Sequence, residues 1–115
     1  MTAVEDGVEV QFRLTVVSHM PLDRMLMAYE LGVVGSIAAL GDWDWKRALR
    51  LELCSVEQHT WAAELRLPHT DTIEYKYVLV APDGSRCLWE QAGNRALHLV
   101  EPTLAFVRAD DRALF

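Results

Sequence analysis

Residues 8–17, VEVQFRLTVV, alternate apolar and polar side chains without a break. Val8, Val10, Phe12, Leu14 and Val16 fall on one face; Glu9, Gln11, Arg13 and Thr15 fall on the other. A period of two, rich in β-branched and aromatic residues, describes a strand with one buried face. The pattern returns in TWAAELRL, residues 60–67, where Trp61, Ala63, Leu65 and Leu67 point inward and Pro68 stops the strand. It returns again in TIEYKYVLV, residues 72–80, with Ile73, Tyr75, Tyr77 and Leu79 inward and Glu74 and Lys76 outward. The Pro-Asp-Gly turn of APDGS follows. RALRLEL in the middle of the chain, and RCLWE, ALHLV and LAFVRA near its end, read as shorter strands. Many short strands at this turn spacing predict an antiparallel sandwich or barrel. ALGDWDW reads as a loop or a single turn, whereas residues 20–34 fit either a helix capped by Ser18 or a loop running into a strand that ends at Val33-Val34.

At 115 residues the expectation is one domain spanning 1–115, with its core over about 8–107. The net charge is −6 and no Lys/Arg cluster occurs. Nucleic acid and anionic membrane are therefore not expected partners, since both select a basic surface. No apolar run approaches the length that spans a bilayer. Cys54 and Cys87 lack C-x-x-C spacing and read as free thiols. With no basic-then-apolar start resembling a signal peptide, they point to an intracellular setting.

An enzyme needs a constellation that the chain does not offer. Asp42 and Asp44 flank Trp43, but an i, i+2 pair in a loop sets no defined carboxylate separation for glycoside chemistry. His19, His59, His69 and His98 are scattered, no G-x-S-x-G occurs, and no His or Cys pair has ligand spacing. No catalytic residue, metal or cofactor is expected.

The four Trp are more informative. Trp61 belongs to the inward face of its strand and is expected in the core. Trp43, Trp45 and Trp89 stand in or beside polar, turn-like stretches. An exposed indole suits the apolar C–H face of a sugar ring, while Lys, Glu and Asn side chains bond the hydroxyl rim. Trp43 and Trp89 beside the outward Lys76 make such a platform; capping one end of the sandwich is the alternative role for each Trp.

VGSIAALGDWDWKRALRLEL, then WAAELRLP, then IEYKYVLVAPDGSRCLWEQAGNR together resemble the starch-binding domain, the family 20 carbohydrate-binding module. The resemblance runs from about Val8 to Val107 and rests on five blocks in order: Gly35-Ser36, Leu40-Gly41-Asp42-Trp43, Glu74-Tyr75-Lys76-Tyr77, Trp89-Glu90 and Asn94-Arg95. It implies an all-β, immunoglobulin-like antiparallel β-sandwich of seven to eight strands. It implies a non-catalytic module that binds α-1,4-glucans such as starch, glycogen or malto-oligosaccharides. By motif position Trp43, Lys76 and Trp89 meet the glucan, with Glu90 and Asn94 as polar partners. The sequence departs from the family at Trp45, where a Pro is usual, and at Gly32, where a Tyr of a second glucan site often stands. Glu57 to His59 also lack an expected aromatic. A second site in its usual form is not expected, and Tyr29 is the nearest substitute.

Two other readings compete. A sandwich that has lost sugar binding would serve as a protein-interaction module, and a small enzyme would consume a substrate. Retention on amylose, a concentration-dependent mass and loss of substrate over time separate the three. A catalytic domain in the same chain and a second copy of the module are the protein partners considered.

Overall fold

The computed structural model describes residues 7–17, 24, 28–70 and 72–115. Within them lie nine strand segments: β1 Val8–Val17, β2 Glu30–Gly35, β3 Leu49–Arg50, β4 Glu52–Ser55, β5 Thr60–Leu67, β6 Ile73–Val80, β7 Cys87–Trp89, β8 Arg95–Leu97 and β9 Phe106–Leu114. They form two facing sheets. The first has the order β4-β5-β1-β9; the second has the order β3-β2-β6-β7, with β8 also paired to β6. The β-sandwich expected from the sequence is the fold observed. The segment count exceeds eight because the RALRLEL stretch is divided between sheets. The chain leaves the second sheet after β3 and enters the first at β4, passing through buried Leu51, whose N–H donates to Leu31 O at 2.9 Å.

The alternation in β1 is realised side chain by side chain: Val8, Val10, Phe12 and Leu14 are fully buried. β1 pairs antiparallel with β5, setting Leu14 opposite Trp61, and on its other side it pairs with β9. That second pairing is parallel, the one exception among the described strand pairs. Ile73, Tyr75, Tyr77 and Leu79 of β6 meet the β1 side chains across the interior, with Phe12 edge-on to Tyr75 at 5.1 Å. Trp61, expected in the core, is 3 % exposed. The buried cluster continues through Ala109 to Ala113, so β9 carries the core past Val107.

Strand β2 resolves the choice over residues 20–34 for its own span, Glu30–Gly35. The Ser18 cap and the methionines of the Met-rich stretch lie outside the described residues; the two described positions there, Arg24 and Ala28, are helical, as one of the two readings expected. The ALGDWDW segment lies in tight turns, Ala38–Trp43, which is kinked at Leu40–Asp42, and the 3-10 turn Trp45–Arg47.

Candidate functional site

Strand β6 is covered on both sides. Val78 and Val80 point away from the main core, yet they are 0 % and 1 % exposed. With Val34 and Ala48 they form a second small cluster, covered by Trp43, Trp45 and Cys87. The outer face of the second sheet is therefore an apolar strip roofed by half-exposed indoles, and the turn after β2 puts them there. Leu40 anchors this turn, fully buried. Gly41, Asp42 and Trp43 then take φ of 83°, 51° and 67° in succession. At Gly41 a side chain is excluded by space as well, since a Cβ would lie 2.9 Å from Arg47 O. Trp43 has no such exemption, and an aromatic residue at positive φ is held only where its surroundings determine it. Here Asp42 N–H donates to Ile37 O at 3.0 Å and Asp44 N–H to Gly41 O at 2.9 Å, closing the turn on both sides of Trp43. The two acids serve the same turn. Asp44 accepts from Lys46 N–H at 3.0 Å, and Asp42 lies 3.8 Å from Arg47.

Trp89 approaches the strip from the other side. It sits in register with Val78 and is 38 % exposed. The Lys76 ammonium lies over its ring, 5.8 Å from the centroid. Such a contact holds the charge beside the indole rather than far out in solvent. Asn94 is exposed beyond the end of β7, and its Nδ2 donates to Glu74 Oε1 at 2.9 Å. Glu74 and Lys76 are two residues apart on the outer side of β6, so Asn94 is tied to the strand that carries the lysine. The structure thus gathers Trp43, Lys76 and Trp89 on one face of the second sheet, with Asn94 at its polar end.

Glu90 departs from the expected arrangement. Its side chain is fully buried beneath this face rather than displayed on it. Oε2 accepts from Tyr77 N–H at 2.9 Å and from Arg95 Nε at 3.0 Å; Oε1 accepts from Arg95 Nη2 at 2.7 Å. The alternation that puts Trp89 outward turns the next side chain inward, and a charge there has to be paired. Arg95 carries the network on. It donates to Arg112 O at 2.7 Å and to Asp111 Oδ1 at 3.4 Å, and it lies over the Tyr77 ring at 5.5 Å. Asp111 Oδ2 also accepts from the Tyr75 and Tyr77 hydroxyls, both at 2.7 Å. Burial first, and then the Asp111 carboxylate, push both hydroxyls far above the usual tyrosine range. The Glu90 hydrogen bonds hold Arg95 protonated more firmly than usual. This network joins the loop behind Trp89 to β9 of the opposite sheet.

Arg95 entered the sequence reading only as part of the Asn94-Arg95 block, with no role given, and Asp111 did not enter it. The available signal was alternation: Val107, Ala109, Asp111 and Ala113 share one side of β9, so an acid stands in an inward series. Of the remaining aromatics, Trp45 packs on the second cluster under the Lys46 ammonium, 5.6 Å from its ring centroid. Tyr29 does not stand free as a sugar platform. It is 9 % exposed within the main core, with Arg86 over its ring. Gly32 is pressed by its neighbour: a Cβ there would meet Ala48 Cβ at 3.0 Å, which disfavours a larger residue.

The starch-binding domain family model, CBM_20, matches residues 7–103. The chain belongs to the starch-binding domain family. Its members are non-catalytic carbohydrate-binding modules. Glucoamylase-1 of Arthroderma benhamiae is 33 % identical over 96 residues, covering 82 % of this chain and 14 % of that protein. The AA13 family lytic polysaccharide monooxygenase A of Aspergillus terreus is 35 % identical over 66 residues, 56 % of this chain and 16 % of that protein. The chain spans about one-seventh of the length of these curated relatives. Among solved structures, a family 15 glucoamylase from Hypocrea jecorina superposes with a TM-score of 0.78 at 26 % identity, over 98 % of this chain and 18 % of that one. The family 20 module of the maltotetraose-forming amylase of Pseudomonas saccharophila STB07 shares the fold. Its TM-score is 0.63 at 22 % identity, over 90 % of this chain and 99 % of that one.

Proposed function

We propose that this starch-binding domain holds α-1,4-glucans, such as starch, glycogen or malto-oligosaccharides, by stacking glucose rings on Trp43 and Trp89. Lys76 and Asn94 bond the hydroxyl rim. The observation that carries this reading is Trp89 itself, an exposed indole held beside the Lys76 ammonium and in register with buried Val78. An indole offers a flat apolar surface to ring C–H groups, and the lysine offers donors to the oxygens around them. Glu90 acts from below, through Arg95 and the Tyr77 backbone, by fixing the loop that carries Trp89 and Asn94. No step of bond making or breaking is involved. Residues 1–115 act as one such module, tethering a larger glucan-active protein to its substrate, as the much greater length of its relatives suggests.

The test is a β-cyclodextrin titration followed by intrinsic Trp fluorescence, on the wild type and on Trp89→Ala. We expect saturable binding with Kd on the order of 10 µM to 1 mM, as a shallow stacking site implies. The substitution should weaken it roughly thirtyfold or more, a loss in the range of a dominant aromatic contact. A folded wild type that does not bind would remove the glucan reading and leave a protein-interaction module in its place.

A further inference from the structure

Glu74 is a side chain at this face whose role the stacking model leaves open. Its backbone is gripped from β2: Ser36 N–H donates to Glu74 O at 2.9 Å, and Glu74 N–H donates to Ser36 Oγ at 3.0 Å. The grip depends on the residue before Ser36. A Cβ on Gly35 would lie 2.5 Å from Glu74 O and 2.9 Å from Leu40 Cδ1, so any larger residue would push β2 away from Glu74. With the backbone fixed in this way, the carboxylate becomes a placed acceptor, and Asn94 Nδ2 donates to it at 2.9 Å.

We propose that Glu74 is a positioning residue of the glucan site, locking the Asn94 amide so that its carbonyl oxygen faces the ligand. The inference rests on the glucan reading above. A carboxylate only accepts hydrogen bonds, so the amide can turn only its NH2 toward Glu74. Oδ1 is thereby directed away from the carboxylate and remains an acceptor. Lys76, two residues along the same face of β6, only donates. The polar end of the site thus offers a fixed acceptor and a fixed donor. A sugar with neighbouring hydroxyls satisfies both, one hydroxyl donating to Asn94 and another accepting from Lys76. An unlocked amide could turn its NH2 outward instead, and the acceptor would be lost for part of the time.

The experiment is a double-mutant cycle on β-cyclodextrin affinity, using wild type, Glu74→Ala, Asn94→Ala and the double variant, with Glu74→Gln as the conservative replacement. Both side chains are exposed, so all variants should melt as the wild type does. We expect Glu74→Ala to weaken binding roughly three- to tenfold, the weight of about one ordered hydrogen bond. The double variant should bind no more weakly than Asn94→Ala alone, and Glu74→Gln should recover most of the loss, because its amide oxygen still accepts from Asn94. Glu74→Ala binding as tightly as the wild type would overturn the proposal. So would losses that multiply in the double variant, or a Glu74→Gln protein as weak as Glu74→Ala. Failure of the wild type to bind would instead overturn the glucan reading beneath it.

Discussion

The outer faces of the two sheets are built on opposite rules. On the first sheet the outward residues are mostly polar, and several pair with one another: Arg66 with Glu9 at 3.0 Å, Gln11 with Glu64 at 3.1 Å, and Arg108 with Asp110 at 2.9 Å; exposed Phe106 and Leu114 stand only at the two ends of β9. On the second sheet the outward positions of β6 change character along the strand, from Glu74 and Lys76 to fully buried Val78 and Val80. A solvated face needs no roof. An apolar one does, and Trp43 and Trp45 supply it. The same indole that covers the valines keeps part of its surface in water, so cover and platform are one structure. The face proposed to bind glucan is thus marked by hydrophobic residues where a solvent-facing sheet would carry polar ones.

The sharpest break in this comparison is expected between adjacent residues. Trp89 lies on the second face and Glu90 beneath it. Glu90→Ala removes two of the Arg95 guanidinium's hydrogen bonds and leaves the Tyr77 N–H without its acceptor. We expect a loss of about 3 kcal/mol in urea unfolding, the lower end for a broken buried pair because Arg95 keeps some solvent and its bond to Asp111. Trp89→Ala, one position earlier, should change binding and leave the unfolding midpoint nearly unmoved. An equal loss of stability in both would mean that Trp89 is part of the core.

Trp43 should fall between these two. As roof and platform together, Trp43→Ala is expected to cost about 2 kcal/mol of stability, less than a fully buried aromatic, and to weaken β-cyclodextrin binding as well. If binding fell and stability did not, the valine strip would be closed without this indole.

How far the chain was legible follows the same division. In β1 the solvent side is polar, so alternation alone gave the strand, its limits and its buried side chains. In β6 alternation placed Tyr75 and Tyr77 correctly but not Val78 and Val80, because a strand covered on both sides loses its period of two. The end of β9 was missed for the opposite reason: Asp110-Asp111-Arg112 reads as solvated, which masks the alternation from Val107 to Ala113 that the pairing with β1 bears out. The parallel β1–β9 pair was not legible at all, since periodicity names faces and not neighbours. At the proposed site, Trp43, Lys76, Trp89 and Asn94 were named by motif position and because each residue type suits a sugar. Glu90 was assigned to the surface because its motif was read without asking which way the residue after an outward Trp must point. The carboxylate that Asn94 bonds is Glu74, which the sequence pattern had already turned outward.

The Tyr hydroxyls carry the comparison into the interior. Burial and Asp111 raise the folded pKa of Tyr75 and Tyr77 above the ordinary value near 10. An unfolded chain releases these protons at about pH 10 while the folded chain keeps them. The stabilisation is therefore fully present below about pH 10 and falls as pH rises beyond it. Tyr77→Phe should cost about 1 kcal/mol at neutral pH, one hydrogen bond, with Asp111 still held by Tyr75 and Arg95. Above about pH 10 the variant should lose stability less steeply, by up to about 1.4 kcal/mol per pH unit for the one proton removed. Thermal melts of the two proteins across the alkaline range read this directly. Parallel curves would show that Tyr77 does not hold its proton in the folded state.

The smallest effect should come from the polar face. Arg108→Ala removes the pair with Asp110 on the exposed side of β9, where both side chains are about half in solvent. Exposed pairs of this kind lose in ordering and hydration most of what they gain in attraction, so the expected change in stability is within about 0.5 kcal/mol. β-Cyclodextrin affinity should not change, because Arg108 belongs to the outer face of the other sheet from Lys76 and Trp89. A larger loss of stability would show that the charges on this face act as a network holding β9 to β1. A loss of affinity would show that ligand reaches the first sheet as well, and the division between a solvated face and a binding face would then have to be redrawn around β9.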